Sequence, residues 1–216
     1  MAEIELLKSL PKGKRNIAAR ETAKTEEHTR ISREYGEAYF DGPREYGYGG
    51  YKYDGRWVPV AKDIIAHFDL KPGDRVLDVG CAKGFLVKDL QAEKIDAFGI
   101  DISDYALMNC EPEVVGRLHL GNADHLPFPD NSFDAVLCIN SVHNLPREKC
   151  IQALREIERL APGKGFVQVD SYLTKEQKEI FESWVLTAEF YGYPDEWIGL
   201  FNEAGYSGDY YWTIIQ

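Results

Sequence analysis

Three acidic residues stand where apolar runs give way to small or polar residues. Asp78 precedes Val79-Gly80-Cys81-Ala82-Lys83-Gly84, Asp101 closes Ala97-Phe98-Gly99-Ile100, and Asp124 follows Gly121-Asn122-Ala123. Small residues at 80, 82 and 84 let backbone approach a ligand closely, which a large side chain would block. A helix starting there turns its N-terminal amides toward the same place. A carboxylate 21 positions beyond Gly80, at Asp101, can accept both hydroxyls of a ribose. Asp124 can accept from an exocyclic amine such as that of adenine. A dinucleotide fingerprint, GxGxxG, would put Phe85 at its third glycine, where the ring is far too large. The spacing that fits is GxGxG with alanine in the middle, which disfavours a pyrophosphate cradle and favours a ligand without phosphates. His143, just past a fourth apolar run, has the side chain whose ordinary pKa suits a general base near neutrality. A histidine there can equally line a ligand or cap a turn. Asp130-Asn131 reads as a plain turn and Lys83 as a solvated charge.

The elements that must position these groups follow from hydrophobic periodicity. Val60, Ile64, Ile65 and Phe68 repeat at helical spacing, and Lys71-Pro72-Gly73-Asp74 makes a turn. Short apolar strands are predicted at 75–80, 97–102, 117–121, 133–139 and 165–170, with helices at 84–94 and 195–204. The segment 147–160 places Ile151, Leu154, Ile157 and Leu160 on one helical face before Pro162-Gly163. Strands alternating with helices predict an α/β chain, a Rossmann-like doubly wound sheet with helices on both faces. Ligands of such sheets sit beyond the carboxyl ends of the strands, so the chemistry is expected just after Val79, Ile100, Leu120 and Ile139.

The chain has 216 residues, 44% of them hydrophobic, and a net charge of -11. So acidic a chain is repelled by phosphate backbones, so nucleic acid is not an expected partner. The four cysteines and five histidines are scattered without metal-ligand spacing, so no metal is expected. With no secretory signal or membrane-spanning run, a cytoplasmic protein is the expectation. Residues 1–30 carry a local balance of +2 against -13 for the remainder, and residues 18–39 suit a helix in an arm. Six of thirteen tyrosines fall between Tyr35 and Tyr53. Tyr46, Tyr48, Tyr51, Tyr53 and Trp57, with Arg56 to pair a carboxylate, are expected to form a lid whose glycines allow closure. A packed loop is the plainer alternative. Phe190, Tyr191, Tyr193 and Trp197 suggest an opposite wall of the site. The chain thus divides into an arm and lid over 1–56 and an α/β domain over 57–216.

The stretches VLDVGCAKG, FGIDIS, GNADHLPFPDNSFDAVLCINSVHNLP and LREIERLAPGKGFVQVDS, in this order, resemble a class I S-adenosylmethionine-dependent methyltransferase, most similar to methyltransferase family 11. The resemblance covers about residues 57–171. It implies S-adenosylmethionine as cofactor, with Asp78, Gly80 and Ala82 lining its methionine moiety and Cys81 and Gly84 in the same loop. It further implies Asp101 on the ribose hydroxyls, Ile102 on the adenine face, Ala123 and Asp124 at the adenine edge, and Asn140 beneath the sulfonium. The expected activity is methyl transfer to a small molecule, on oxygen if His143 serves as base. A fainter likeness, in the tyrosine-rich loop and the DYYWTII tail, is to bacterial enzymes that modify surface sugars or specialised metabolites. Such a displacement needs mainly proximity and alignment, worth up to about 7–11 kcal/mol. Ala82 and Lys83 depart from the family pattern. An antiparallel C-terminal strand is expected on the otherwise parallel sheet, either from a short hairpin or with a partner drawn from 183–190. Other readings are a non-catalytic binder of the cofactor or its product, an N-methyltransferase, and a nicotinamide-dependent reductase, against which Phe85 argues. A monomer or homodimer is expected.

Overall fold

In a computed structural model, which describes residues 1–10 and 24–214, the chain folds into a six-stranded sheet flanked by helices. The arm contributes α1 (Glu26–Ser32) and α2 (Glu37–Phe40). The body follows with α3 (Val58–Phe68), β1 (Arg75–Val79), α4 (Phe85–Ala92), β2 (Asp96–Asp101), α5 (Asp104–Met108) and β3 (Leu118–Leu120). It continues with β4 (Ala135–Ile139), α6 (Arg147–Leu160), β5 (Gly165–Ser171), α7 (Lys175–Trp184), α8 (Pro194–Ala204) and β6 (Asp209–Ile214). The sheet order is β3-β2-β1-β4-β5-β6. The order reverses between β1 and β4, which opens a crevice at their carboxyl ends.

β1, β4 and β5 are buried along nearly their whole length, polar Asp78, Gln168 and Asp170 included, because both faces of the sheet are covered. On one face lie Ile151, Leu154 and Ile157 of α6 with Trp197 and Phe201 of α8. On the other lie Val60 and Ile64 of α3 with Leu86 and Leu90 of α4. This two-sided burial pins each strand end in place, and the site is built on those ends.

The sheet departs from expectation at its last strand. β6 pairs parallel with β5, from Phe166 opposite Asp209 to Ser171 opposite Ile214, so every strand is parallel. Among the described residues one strand follows α8 and no hairpin forms. Segment 183–190 supplies no strand; it finishes α7 and continues as loop. The free edge of β6 is met by the N-terminal residues, where Ile4 N–H donates to Tyr210 O at 2.9 Å and Tyr210 N–H to Ala2 O at 3.0 Å. This bridge covers the start of the edge strand at Tyr210.

The helix expected over 18–39 lies partly outside the described residues. Its described part is two short helices separated at Tyr35, which takes a left-handed φ of 48°, and Gly36. Ser32 helps fix the break, since its hydroxyl is within 2.6 Å of both His28 O and Tyr46 O. The arm therefore folds back on its own tyrosine-rich loop and then onto the body. No helix among the described residues is long and apolar enough to cross a membrane.

Candidate functional site

β1 delivers the chain into a loop whose alternate residues are all left-handed: Gly80 at φ 82°, Ala82 at 50° and Gly84 at 76°. A Cβ at Gly80 would stand 2.4 Å from Ser141 Cβ, and the Ser141 hydroxyl already donates to Val79 O at 2.9 Å. Glycine is required there by both conformation and space. Ala82 holds the same conformation with a Cβ, a strain of roughly 1–2 kcal/mol. It is compensated in part by its N–H, which donates to Asp101 Oδ2 at 2.7 Å. The other Asp101 oxygen accepts from Ser103 N–H at 2.8 Å. An ionised carboxylate has about four acceptor positions, so Asp101 keeps capacity for a ligand.

Burial dominates the electrostatics. It raises the Asp101 carboxyl against three backbone hydrogen bonds that pull it down. Asp78, one residue behind the Val79-Gly80 turn and 6% exposed, is pushed up to about 7, first by burial and then by the neighbouring Asp101 charge. A pair of acids held this way is short of positive charge, which a cationic ligand would supply.

A cavity of about 440 Å³ opens over these strand ends, a size typical of small-molecule sites. Of the residues expected from the sequence, Gly80, Ala82, Asp101, Ile102, Ala123, Asn140 and Tyr48 line it. Others lie beside or behind it. Asp124 pairs with Lys149 Nζ at 3.2 Å, and that lysine faces the cavity in its place. Cys81 is buried in the core, where burial raises its thiol well above the usual range. Gly84 caps the start of α4.

The aromatic wall of the cavity differs in composition from the expected lid. Its residues are Tyr35, Tyr39 and Phe40, joined by Tyr48, with Arg33 and Glu34 also lining the cavity. Tyr51 packs behind them, stacked on Phe85 with ring centroids 4.7 Å apart. Tyr53 donates to Asp89 Oδ1 at 2.6 Å, Tyr46 meets His28 edge-on, Arg56 pairs with Asp54, and Trp57 packs into the core beside α3. Tyr191 packs with Tyr172 and Phe181 rather than forming an opposite wall; Glu189 lines the cavity on that side. The aromatic density of 35–53 was legible, but which rings face inward depends on the left-handed turn at Tyr35, which no spacing rule signals.

Lys83 is not solvated. It is 7% exposed and its ammonium lies 2.6 Å from Asp41 Oδ2, which also accepts from Tyr105 Oη at 2.8 Å. Asp41 Oδ1 accepts from Tyr51 N–H at 3.0 Å. One carboxylate thus ties the loop after β1, α5 and the tyrosine-rich loop together, and these partners hold Asp41 below the usual carboxylate range despite its burial. Ser103 adds a second tie, its hydroxyl donating to Tyr35 O at 2.5 Å.

His143 does not line the cavity. The short turn Val142–Asn144 rolls the ring toward β5, where Nδ1 accepts from Asp170 N–H at 3.2 Å and Nε2 lies 3.6 Å from Asp170 Oδ2. Burial lowers its pKa more than Asp170 raises it, so the ring is neutral near pH 7. Its expected position as a base is therefore corrected: it sits behind the wall. Among the described residues no cluster of His, Cys, Asp or Glu could hold a metal ion.

Comparison with known proteins agrees with this geometry. Residues 77–169 match a sequence family described as a methyltransferase domain. A demethylmenaquinone methyltransferase of Symbiobacterium thermophilum is 34% identical over 132 residues, covering 54% of this chain and 50% of that protein. The mitochondrial arginine-hydroxylase NDUFAF5 of Rattus norvegicus is 32% identical over 110 residues, 49% of this chain and 31% of that one. A chain of the solved complex between the Haloferax volcanii Trm112 methyltransferase activator and a proposed methyltransferase superposes with a TM-score of 0.55 at 25% identity, covering 67% and 66% of the two chains. The chain spans about half the length, or less, of the curated relatives it matches. The strand-end acids, left-handed glycine loop and parallel sheet of the segment from Leu77 to Val169 agree with its similarity to a methyltransferase domain.

Proposed function

We propose that the protein transfers a methyl group from S-adenosylmethionine to a small-molecule acceptor bound beneath its aromatic lid. One observation carries this reading: a cavity of about 440 Å³ lies on a left-handed glycine loop beside two buried acids. The residues fit the cofactor. The Gly80 turn leaves no room for a side chain, Asp101 retains lone pairs for ribose hydroxyls, and Ile102 is apolar yet 54% exposed next to it, suited to an adenine face. The cofactor, when bound, would supply a methyl group on a positively charged sulfur. Asp78 and Asp101 favour that charge, Ala123 and Asn140 border the same cavity, and Tyr35, Tyr39, Phe40 and Tyr48 line it with aromatic rings, which attract a cation.

The lid side of the cavity is mostly aromatic, with Leu145 and Pro146, while Arg33, Glu34, Lys149 and Glu189 form a rim of mixed charge. Such a wall suits a compact, largely apolar acceptor rather than a polyanion. The preference for oxygen as the acceptor atom rested on His143, and the ring's position removes that support. Burial holds the Tyr39 phenol well above its usual pKa, so it stays protonated and serves as a wall rather than a base. His143 supports β5 against the turn that carries Asn144.

Calorimetry with S-adenosylmethionine and S-adenosylhomocysteine tests the binding half, with saturable one-site binding expected. A screen of small phenols, quinols and amines for S-adenosylhomocysteine release tests the transfer. Absence of cofactor binding to the folded protein would refute the proposal; binding without release for any acceptor class would favour a non-catalytic binder.

A further inference from the structure

The last strand does more than close the sheet. Thr213 of β6 lies opposite Asp170 of β5, beyond the end of β4, and its hydroxyl donates to Asn140 Oδ1 at 3.0 Å. The same hydroxyl oxygen accepts from Gln168 Nε2 at 2.9 Å. Asn140 itself is left-handed at φ 52°, and its N–H donates to Gln168 O at 2.8 Å. Its backbone is therefore held by β5 and its side chain by β6.

The polarity of this chain has a chemical result. A threonine hydroxyl has one hydrogen, and with Gln168 donating to its oxygen, that hydrogen goes to the Asn140 carbonyl. The carbonyl is engaged, leaving the amide N–H donors for the cavity that Asn140 lines. A free amide could turn either end toward a ligand; this one is oriented before the ligand arrives, which lowers the cost of binding. The parallel placement of β6 makes the contact, because it carries Thr213 toward the carboxyl end of the sheet, where Asn140 lies.

We propose that Thr213 is a positioning residue that locks Asn140 with its amide donors facing the cofactor, to receive the carboxylate of the methionine moiety. The inference rests on the S-adenosylmethionine reading above. Two probes separate a positioning role from a structural one: S-adenosylhomocysteine, which carries that carboxylate, and 5′-methylthioadenosine, which lacks it. Loss of one oriented hydrogen bond predicts that Thr213→Val weakens S-adenosylhomocysteine about five- to tenfold. It should leave 5′-methylthioadenosine within about twofold, and Thr213→Ser should restore the wild-type value for both. In nitrogen-resolved NMR, the Asn140 side-chain amide, assigned with Asn140→Ala, should shift on addition of S-adenosylhomocysteine in wild type and Thr213→Ser but not in Thr213→Val. If Thr213→Val disturbs folding, Thr213→Ala provides the same comparison. Equal loss for both probes, or unchanged S-adenosylhomocysteine affinity, overturns the positioning role while the cofactor reading stands. Failure of the wild-type protein to bind either probe overturns both.

Discussion

If the proposed cationic cofactor binds, the buried acid Asp78 makes its affinity depend on pH in a direction set by burial. Its carboxyl is raised from 3.8 to about 7 by burial, with a smaller contribution from Asp101. A raised acid binds more protons in the folded than in the unfolded state, so its contribution to stability is fully present below about pH 4. That contribution is lost as pH rises through about 7, with a total excursion of roughly 4 kcal/mol as an upper figure. A positive charge in the cavity reverses the preference by favouring the ionised form, so binding should release a proton below pH 7. If the bound form remains ionised throughout, affinity at pH 5.5 should be about 30-fold below its plateau and rise about tenfold per pH unit. His143 is turned away from this site, its ring facing Asp170 rather than the cavity. Titrations of S-adenosylmethionine between pH 5.5 and 7, in buffers of different ionisation enthalpy, would count the protons. Asp78→Asn should flatten the profile and gain stability near neutrality. A flat wild-type profile without proton release, or an unchanged slope in Asp78→Asn, would refute the reasoning.

Three further outcomes follow from the same geometry. Ala82→Gly relieves left-handed strain of roughly 1–2 kcal/mol against a glycine entropy cost of about 0.4–1 kcal/mol, so urea unfolding should show a small net gain in stability. Lys83→Met strands the Asp41 carboxylate beside Tyr105 and should cost about 1–3 kcal/mol, with faster proteolytic cleavage within residues 25–55 than in wild type. Tyr48→Ala should weaken cofactor binding severalfold, whereas Tyr53→Ala should leave it unchanged, because Tyr53 spends its hydroxyl on Asp89 away from the cavity; equal effects in calorimetry would contradict the proposed lid.

What the sequence determined alone is the part that depends on local periodicity and on residues that admit no substitute. The largely apolar strands β1, β4 and β5 and the helical face of Ile151, Leu154, Ile157 and Leu160 are written in their spacing, and they fix an α/β sheet. Gly80 and Asp101 were legible for the same reason: a turn with no room for a Cβ and an acid at a strand end each carry their chemistry in their residue type. What tertiary structure decided is wherever one side chain chooses between partners distant in sequence. Lys83 becomes a buried tie only because Asp41, 42 positions away, is folded against it. His143 faces Asp170 instead of the cavity because a short turn rolls it there, and Tyr35, Tyr39 and Phe40 line the cavity because the arm bends at Tyr35. The direction of β6, and with it the Thr213 contact to Asn140, depends on how the chain returns across the sheet after α8. Hydrophobic period is a property of neighbouring residues, whereas strand direction and partner choice belong to the packed whole.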